Sequence, residues 1–127
     1  MSSFEEGLQT LSDVASADLS ASQYAVVKMT TTGLAVAGEG DRPCGVLQDK
    51  PDALGRAGRY GYAGVTKVLV GGTVTKGTQV TVVAGGKVAA VGSGDDYVVG
   101  EMLGAYADGD IGAMRINMSG PHGTGAL

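Results

Sequence analysis

The residues able to do chemistry are few and scattered. A phosphate-binding loop needs glycines whose backbone N–H groups cradle the anion, followed by Lys and then Ser or Thr. Gly71-Gly72-Thr73-Val74-Thr75-Lys76-Gly77 has the glycines and a lysine in another order, which fits a turn between strands. The single histidine, His122, stands in a glycine-rich tail with no rigid neighbours for a triad or metal site, and Ser93 and the N-terminal serines have no nearby base. Asp95-Asp96 and Asp108/Asp110 are paired carboxylates that could act as acid and base or hold calcium, but each pair adjoins glycine, as solvated turns do. Arg56, Arg59, Tyr60 and Tyr62 combine cations with aromatics in the manner of a base-stacking strand. The glycine expected after the basic residue is missing, and on a strand the two tyrosines share one face with Arg59 on the other. Asp49-Lys50 resembles a modified-lysine hairpin only superficially, because Pro51 follows the lysine directly. No cofactor and no metal ligand set emerges.

Composition narrows the class further. The chain has 127 residues, 23 glycines, one cysteine, no tryptophan and a formal net charge of −4. This length suits one domain, and the acidic balance argues against a protein built to grip nucleic-acid phosphates or an anionic membrane. No apolar run is long enough for a membrane helix. The opening Met1-Ser2-Ser3-Phe4-Glu5-Glu6 lacks the basic start and apolar stretch of a secretory signal, so a protein made and kept inside a cell is expected. Cys44 alone forms no intrachain disulfide. Sixteen valines and sixteen alanines stand against nine leucines, two isoleucines and one phenylalanine. Such a core is thin against the entropy of so many glycines, which suggests stability drawn from a partner surface or from self-association.

The elements that would position these residues are short strands between turns, as in an all-β domain. The apolar patterning predicts strands at Gln23–Met29, Leu34–Ala37, Cys44–Gln48, Ala57–Ala63, Val65–Val70, Gln79–Val83, Lys87–Val91, Tyr97–Leu103 and Ile111–Met118. Ala84-Gly85-Gly86 predicts a hairpin and Asp108-Gly109-Asp110 a turn. Helix signals are confined to the N-terminus. Ser3 with Glu6 has capping-box spacing, and Phe4, Leu8, Leu11 and Ala15 recur at helical intervals. Gly7 interrupts that pattern, and Leu8–Val14 fits an extended arm pairing with another chain equally well. The expected fold is a small compact β-sandwich or barrel with a flexible N-terminal arm and at most one short helix. Its divisions are an arm over residues 1–17, a β-rich domain over 18–118 and a mobile tail over 119–127. Gly55, Gly58, Gly61 and Gly64 recur every third residue without the prolines of a collagen helix.

Four stretches in order carry a family resemblance. They are Ala17-Asp18-Leu19-Ser20-Ala21-Ser22-Gln23-Tyr24-Ala25-Val26-Val27-Lys28, then Gly40-Asp41-Arg42-Pro43-Cys44-Gly45-Val46-Leu47-Gln48-Asp49-Lys50-Pro51, Gly64-Val65-Thr66-Lys67-Val68, and Tyr97-Val98-Val99-Gly100. Together they resemble the capsid cement (head decoration) proteins of tailed bacteriophages, over most of the chain. The resemblance implies a non-enzymatic virion protein, assembled in the host cytoplasm, on the outer surface of the capsid. It implies binding to the major capsid protein near local three-fold positions, often as a homotrimer, reinforcing the expanded head. No catalytic residue is carried over. Leu8, Leu11 and Val14, on an arm able to add a strand to a capsid edge, are candidate contacts with the capsid or a second subunit. Tyr60 and Tyr62 are further candidates, with core packing the competing role. The competing reading is a β-rich carbohydrate- or protein-binding module of a phage tail or fibre.

Overall fold

A computed structural model describes residues 7–92 and 97–121, whose regular structure is almost entirely strand. Nine strands follow one another: β1 (Gln9–Val14), β2 (Val26–Thr30), β3 (Gly33–Val36), β4 (Gly45–Leu47), β5 (Ala57–Leu69), β6 (Gln79–Val83), β7 (Lys87–Ala90), β8 (Tyr97–Met102) and β9 (Ile111–Pro121). They form one curled, half-barrel sheet in the order β3-β2-β4-β5-β9-β8-β6-β7, with β1 added to β5. Every ladder between strands is antiparallel. The expected all-β fold is therefore present, and the only helical piece among the described residues is the 3₁₀ turn Ala84–Gly86 at the predicted β6–β7 hairpin.

The sheet has two curled halves that share β5. The first part of β5 pairs with β1 and β4, and residues 64–69 pair with β9. Each half bends back on itself through an isolated parallel bridge, Ala15 to Leu34 in the first and Val70 to Val88 in the second. Two predicted strands, Ala57–Ala63 and Val65–Val70, are thus one. Gly64 bends the strand without breaking it: its φ of +105° suits glycine, and a Cβ there would overlap the Gly7 carbonyl oxygen. Close approach also accounts for two other glycines of the three-residue period, whereas Gly55 has open space and serves through its φ of +87°. Gly58 lies beneath Pro51, Leu47 and Leu34, and Gly61 beneath Leu8.

Each half has its own core. The larger gathers Val68, Val70, Val80, Val82, Val88, Val99, Met102 and Met114 with Val26 and Val46. The smaller gathers Ala15, Leu19, Val27, Leu34, Leu47 and Tyr60. Adjacent residues on a strand point to opposite faces. Val26-Val27 and Val46-Leu47 accordingly send one side chain into each core, which makes β2 and β4 the wall between them. Gly86, at φ +73°, seats the β6–β7 turn against Ala25 and Val36, where a Cβ would find no room.

Besides shifts of a residue or so at other strand ends, three further regions differ from the sequence expectation. Residues 9–14 are a strand paired with β5 of the same chain, neither helix nor a strand on another chain, because β5 presents a free edge beside them. The predicted Gln23–Met29 strand starts only at Val26, since Tyr24 adopts φ +69°. The tail expected to be mobile from Ser119 is strand as far as Pro121, because β8 extends to meet it through Val98–Ser119 and Tyr97–Pro121. The capping-box residues Ser3 and Glu6 and the rest of the tail, His122 included, lie outside the described residues. Among the described residues no helix is long and apolar enough to cross a membrane.

Candidate interaction surface

Several of the groups singled out for chemistry are occupied in building the fold. In the glycine-rich 71–77 stretch the Gly71, Val74 and Gly77 N–H groups donate to the carbonyls of Val88, Tyr106 and Met102, so they do not converge on an anion. Asp110 closes its turn by accepting the Ala107 N–H at 2.8 Å. Asp49 accepts the Arg59 N–H at 3.1 Å, and Arg56 pairs with Asp52 at 3.0 Å. Among the described residues no three His, Cys, Asp or Glu side chains come together as a metal site. Ser93 and Asp95-Asp96 lie outside those residues.

The five expected contact residues separate by burial. Leu8 is half-buried, resting over Gly61 and against the larger core. Tyr60 is 3% exposed and belongs to the smaller core, so of the two tyrosines only Tyr62 offers surface. Tyr62 packs half-buried against the same core and donates its hydroxyl to Gln9 Oε1 at 3.1 Å. Leu11 and Val14 stay open, at 52% and 42% exposure.

Ladder register separates them: Leu11 lies on the face of the smaller core and Val14, three residues on, on the other face of β1. Residues directly opposite across an antiparallel ladder share a face. Leu11 is opposite Tyr60, and Met29, 57% exposed, is opposite Leu34. Both Tyr60 and Leu34 are members of the smaller core, so Leu11 and Met29 continue that core outward to solvent. Beside Met29 a pocket of about 440 Å³ is lined by Arg42, Pro43 and Cys44. Burial, reinforced by the nearby Asp13 carboxylate, pushes the Cys44 thiol up to about 11. The thiol is therefore protonated at neutral pH and serves as an apolar wall, with none of the thiolate character of a nucleophile. The same burial, with Cys44, Asp13 and Tyr62 adding to it, raises the Tyr60 hydroxyl.

Sequence reasoning missed Met29 and Leu54, the latter 70% exposed in the β4–β5 connection. Met29 was legible in principle, as the last apolar position on the Val27 face before the Thr30-Thr31-Thr32 turn. A second pocket, about 250 Å³, lies where Tyr24 meets Lys67, Ile111 and Gly112. The Lys67 ammonium stands 5.6 Å from the Tyr24 ring centroid, and the left-handed Tyr24 backbone is held by its N–H to Leu47 and its carbonyl to the Leu69 N–H.

No protein-family model and no curated protein matches the chain. Among solved structures the chain is similar to the head fiber gp8.5 N base in bacteriophage phi29. The match has a TM-score of 0.70 and 15% identity, and covers 87% of this chain and 94% of that one. At that identity the likeness is one of fold: a doubly curled sheet of this kind also builds the base of a phage head fiber.

Proposed function

We propose that this protein is a structural component of a phage virion that binds the outer surface of the capsid shell and stabilises the mature head. The observation that carries the reading is the fold shared with a head-fiber base over nearly the whole of both chains. The four-stretch resemblance to capsid cement proteins points the same way, and its residues have a physical role. Leu19, Val26, Val27, Val46, Leu47, Val68, Val98 and Val99 are all buried, so the pattern is that of a core and its turns.

In this reading the chain is not an enzyme and needs no cofactor. Its partner is the major capsid protein, engaged near local three-fold positions by a homotrimer. Many copies with modest contacts hold a shell through multivalency. The acidic chain avoids competing for packaged DNA, and its uncovered apolar residues supply contact area.

Quantitative mass spectrometry of purified particles, giving copies of this chain per major capsid protein, tests the proposal. A ratio near one is expected. A few copies per particle would move the protein to a vertex, tail or fibre, and absence from particles would overturn the virion role.

A further inference from the structure

The open end of the smaller core combines features that no interior role requires. Met29 is a flexible, polarizable side chain left 57% exposed, and such side chains adapt to the partners they cover. It adjoins Pro43, which is buried, and the neutral Cys44 thiol, so the pocket floor is apolar. At its rim stands the exposed Arg42 guanidinium. Lys28, Arg56 and Arg115 have carboxylate partners in Asp41, Asp52 and Glu101, whereas Arg42, like Lys50, Arg59, Lys76 and Lys87, has no ion pair among the described residues, and Arg42 is the one of these that lines a pocket with Met29 and Pro43. Of the acids in this half, Asp13, whose charge reaches Cys44, accepts the Val14 N–H at 2.8 Å, and Asp41 is held by Lys28 and the Gly38 N–H. An unpartnered guanidinium beside an apolar floor is complementary to a carboxylate beside an apolar side chain.

Resting on the shell-binding reading, we propose that the pocket of Met29, Arg42, Pro43 and Cys44 receives an extended segment of the shell protein that carries an apolar side chain beside an acidic one. The apolar side chain displaces water from Met29 and Pro43, and the carboxylate takes the Arg42 fork in two parallel hydrogen bonds.

Two measurements on the full chain test this. In the first, the Met29 methyl signal is followed by NMR during titration with an acetylated Ser-Gly-Leu-Glu-Gly-Ser amide and with its Gln counterpart. A saturable shift is expected with the Glu peptide, weakened about tenfold or more by the Gln peptide or by Arg42→Gln. Equal affinity for both peptides, or a Met29 methyl that does not move, overturns the pocket. This chain's own Phe4-Glu5-Glu6 has the same apolar-beside-acidic chemistry. If Phe4→Ser with Glu5→Gln and Glu6→Gln shifts the Met29 signal without peptide, the occupant is internal and the proposal fails. A shift that depends on protein concentration alone assigns the pocket to a second copy, with the same consequence.

In the second, the protein is co-sedimented with shells of the major capsid protein. Wild type is expected to bind, Arg42→Glu to bind about tenfold less or worse, and Lys76→Glu in the other half to bind as wild type. Equal binding of Arg42→Glu overturns the pocket and leaves shell binding standing. Failure of wild type to bind overturns the shell reading and the named occupant together, while the peptide titration still decides the pocket's chemistry.

Discussion

The two curled halves solve one packing problem differently. The C-terminal half closes over a core of β-branched valines with Met102 and Met114 filling the gaps, and few of its large apolar side chains reach solvent. The N-terminal half has six core residues and relies on larger shapes, Leu34, Leu47 and Tyr60. Of the six large hydrophobic side chains exposed in the described residues, Leu11, Val14, Met29 and Leu54 belong to this half. A small sheet curled around few residues cannot enclose all its inward-facing positions, so apolar surface spills out at its open end. The difference leaves the C-terminal half closed and puts most of the exposed apolar area on the N-terminal half, with β2 and β4 lining both cores and β5 running through both halves.

The largest expected effect comes from breaking the shared strand. Gly64→Val forces a β-branched residue into φ +105° and into the Gly7 backbone, and should cost about 3 kcal/mol or more, read by urea denaturation. A near-neutral result would mean that the halves do not depend on that bend. Next, Met114→Ala in the larger core and Leu34→Ala in the smaller should each cost about 2–5 kcal/mol. Because β2 and β4 line both cores, each variant should still unfold in a single transition by circular dichroism and tyrosine fluorescence. Two separated transitions would show instead that the halves fold independently.

A smaller effect probes the buried polar link between the halves. Gln48 Nε2 donates to Thr66 Oγ1 at 2.7 Å, and Thr66 Oγ1 donates to the Lys67 carbonyl. Thr66→Val should cost about 1–3 kcal/mol by leaving the Gln48 amide short of a partner. Adding Gln48→Leu should cost less than the sum of the two single changes, as measured by a double-mutant cycle. The smallest effect is a pH dependence confined to the N-terminal half. The Cys44 thiol titrates near 11 in the fold against an ordinary 9.0, so the neutral thiol is the form the native state favours. That contribution is complete below pH 9.0 and is lost as pH rises toward 11. Cys44→Ala should flatten the alkaline loss of stability between those values, and iodoacetamide should label native wild type slowly at pH 8.

Much of this was legible in the residues. Valine-rich runs separated by glycine turns identify the strands, and Ala84-Gly85-Gly86 identifies the hairpin, because β-branched side chains and positive-φ glycines express local preferences. The doublets Val26-Val27 and Val46-Leu47 carry the mark of strands buried on both faces. Leu11, Val14 and Tyr62 were named as contacts and do offer surface, Tyr62 only in part.

What the sequence by itself determined is the class of the fold and most strand positions, since each follows from side-chain type and local spacing. Only the tertiary structure decided that β1 joins β5, that Gly64 makes two expected strands one, that Tyr60 is core while Met29 is surface, and that Arg42 stands beside an apolar pocket. Those outcomes depend on pairings between residues far apart in the chain. Which face of a strand ends up covered is settled by the strand that lies against it.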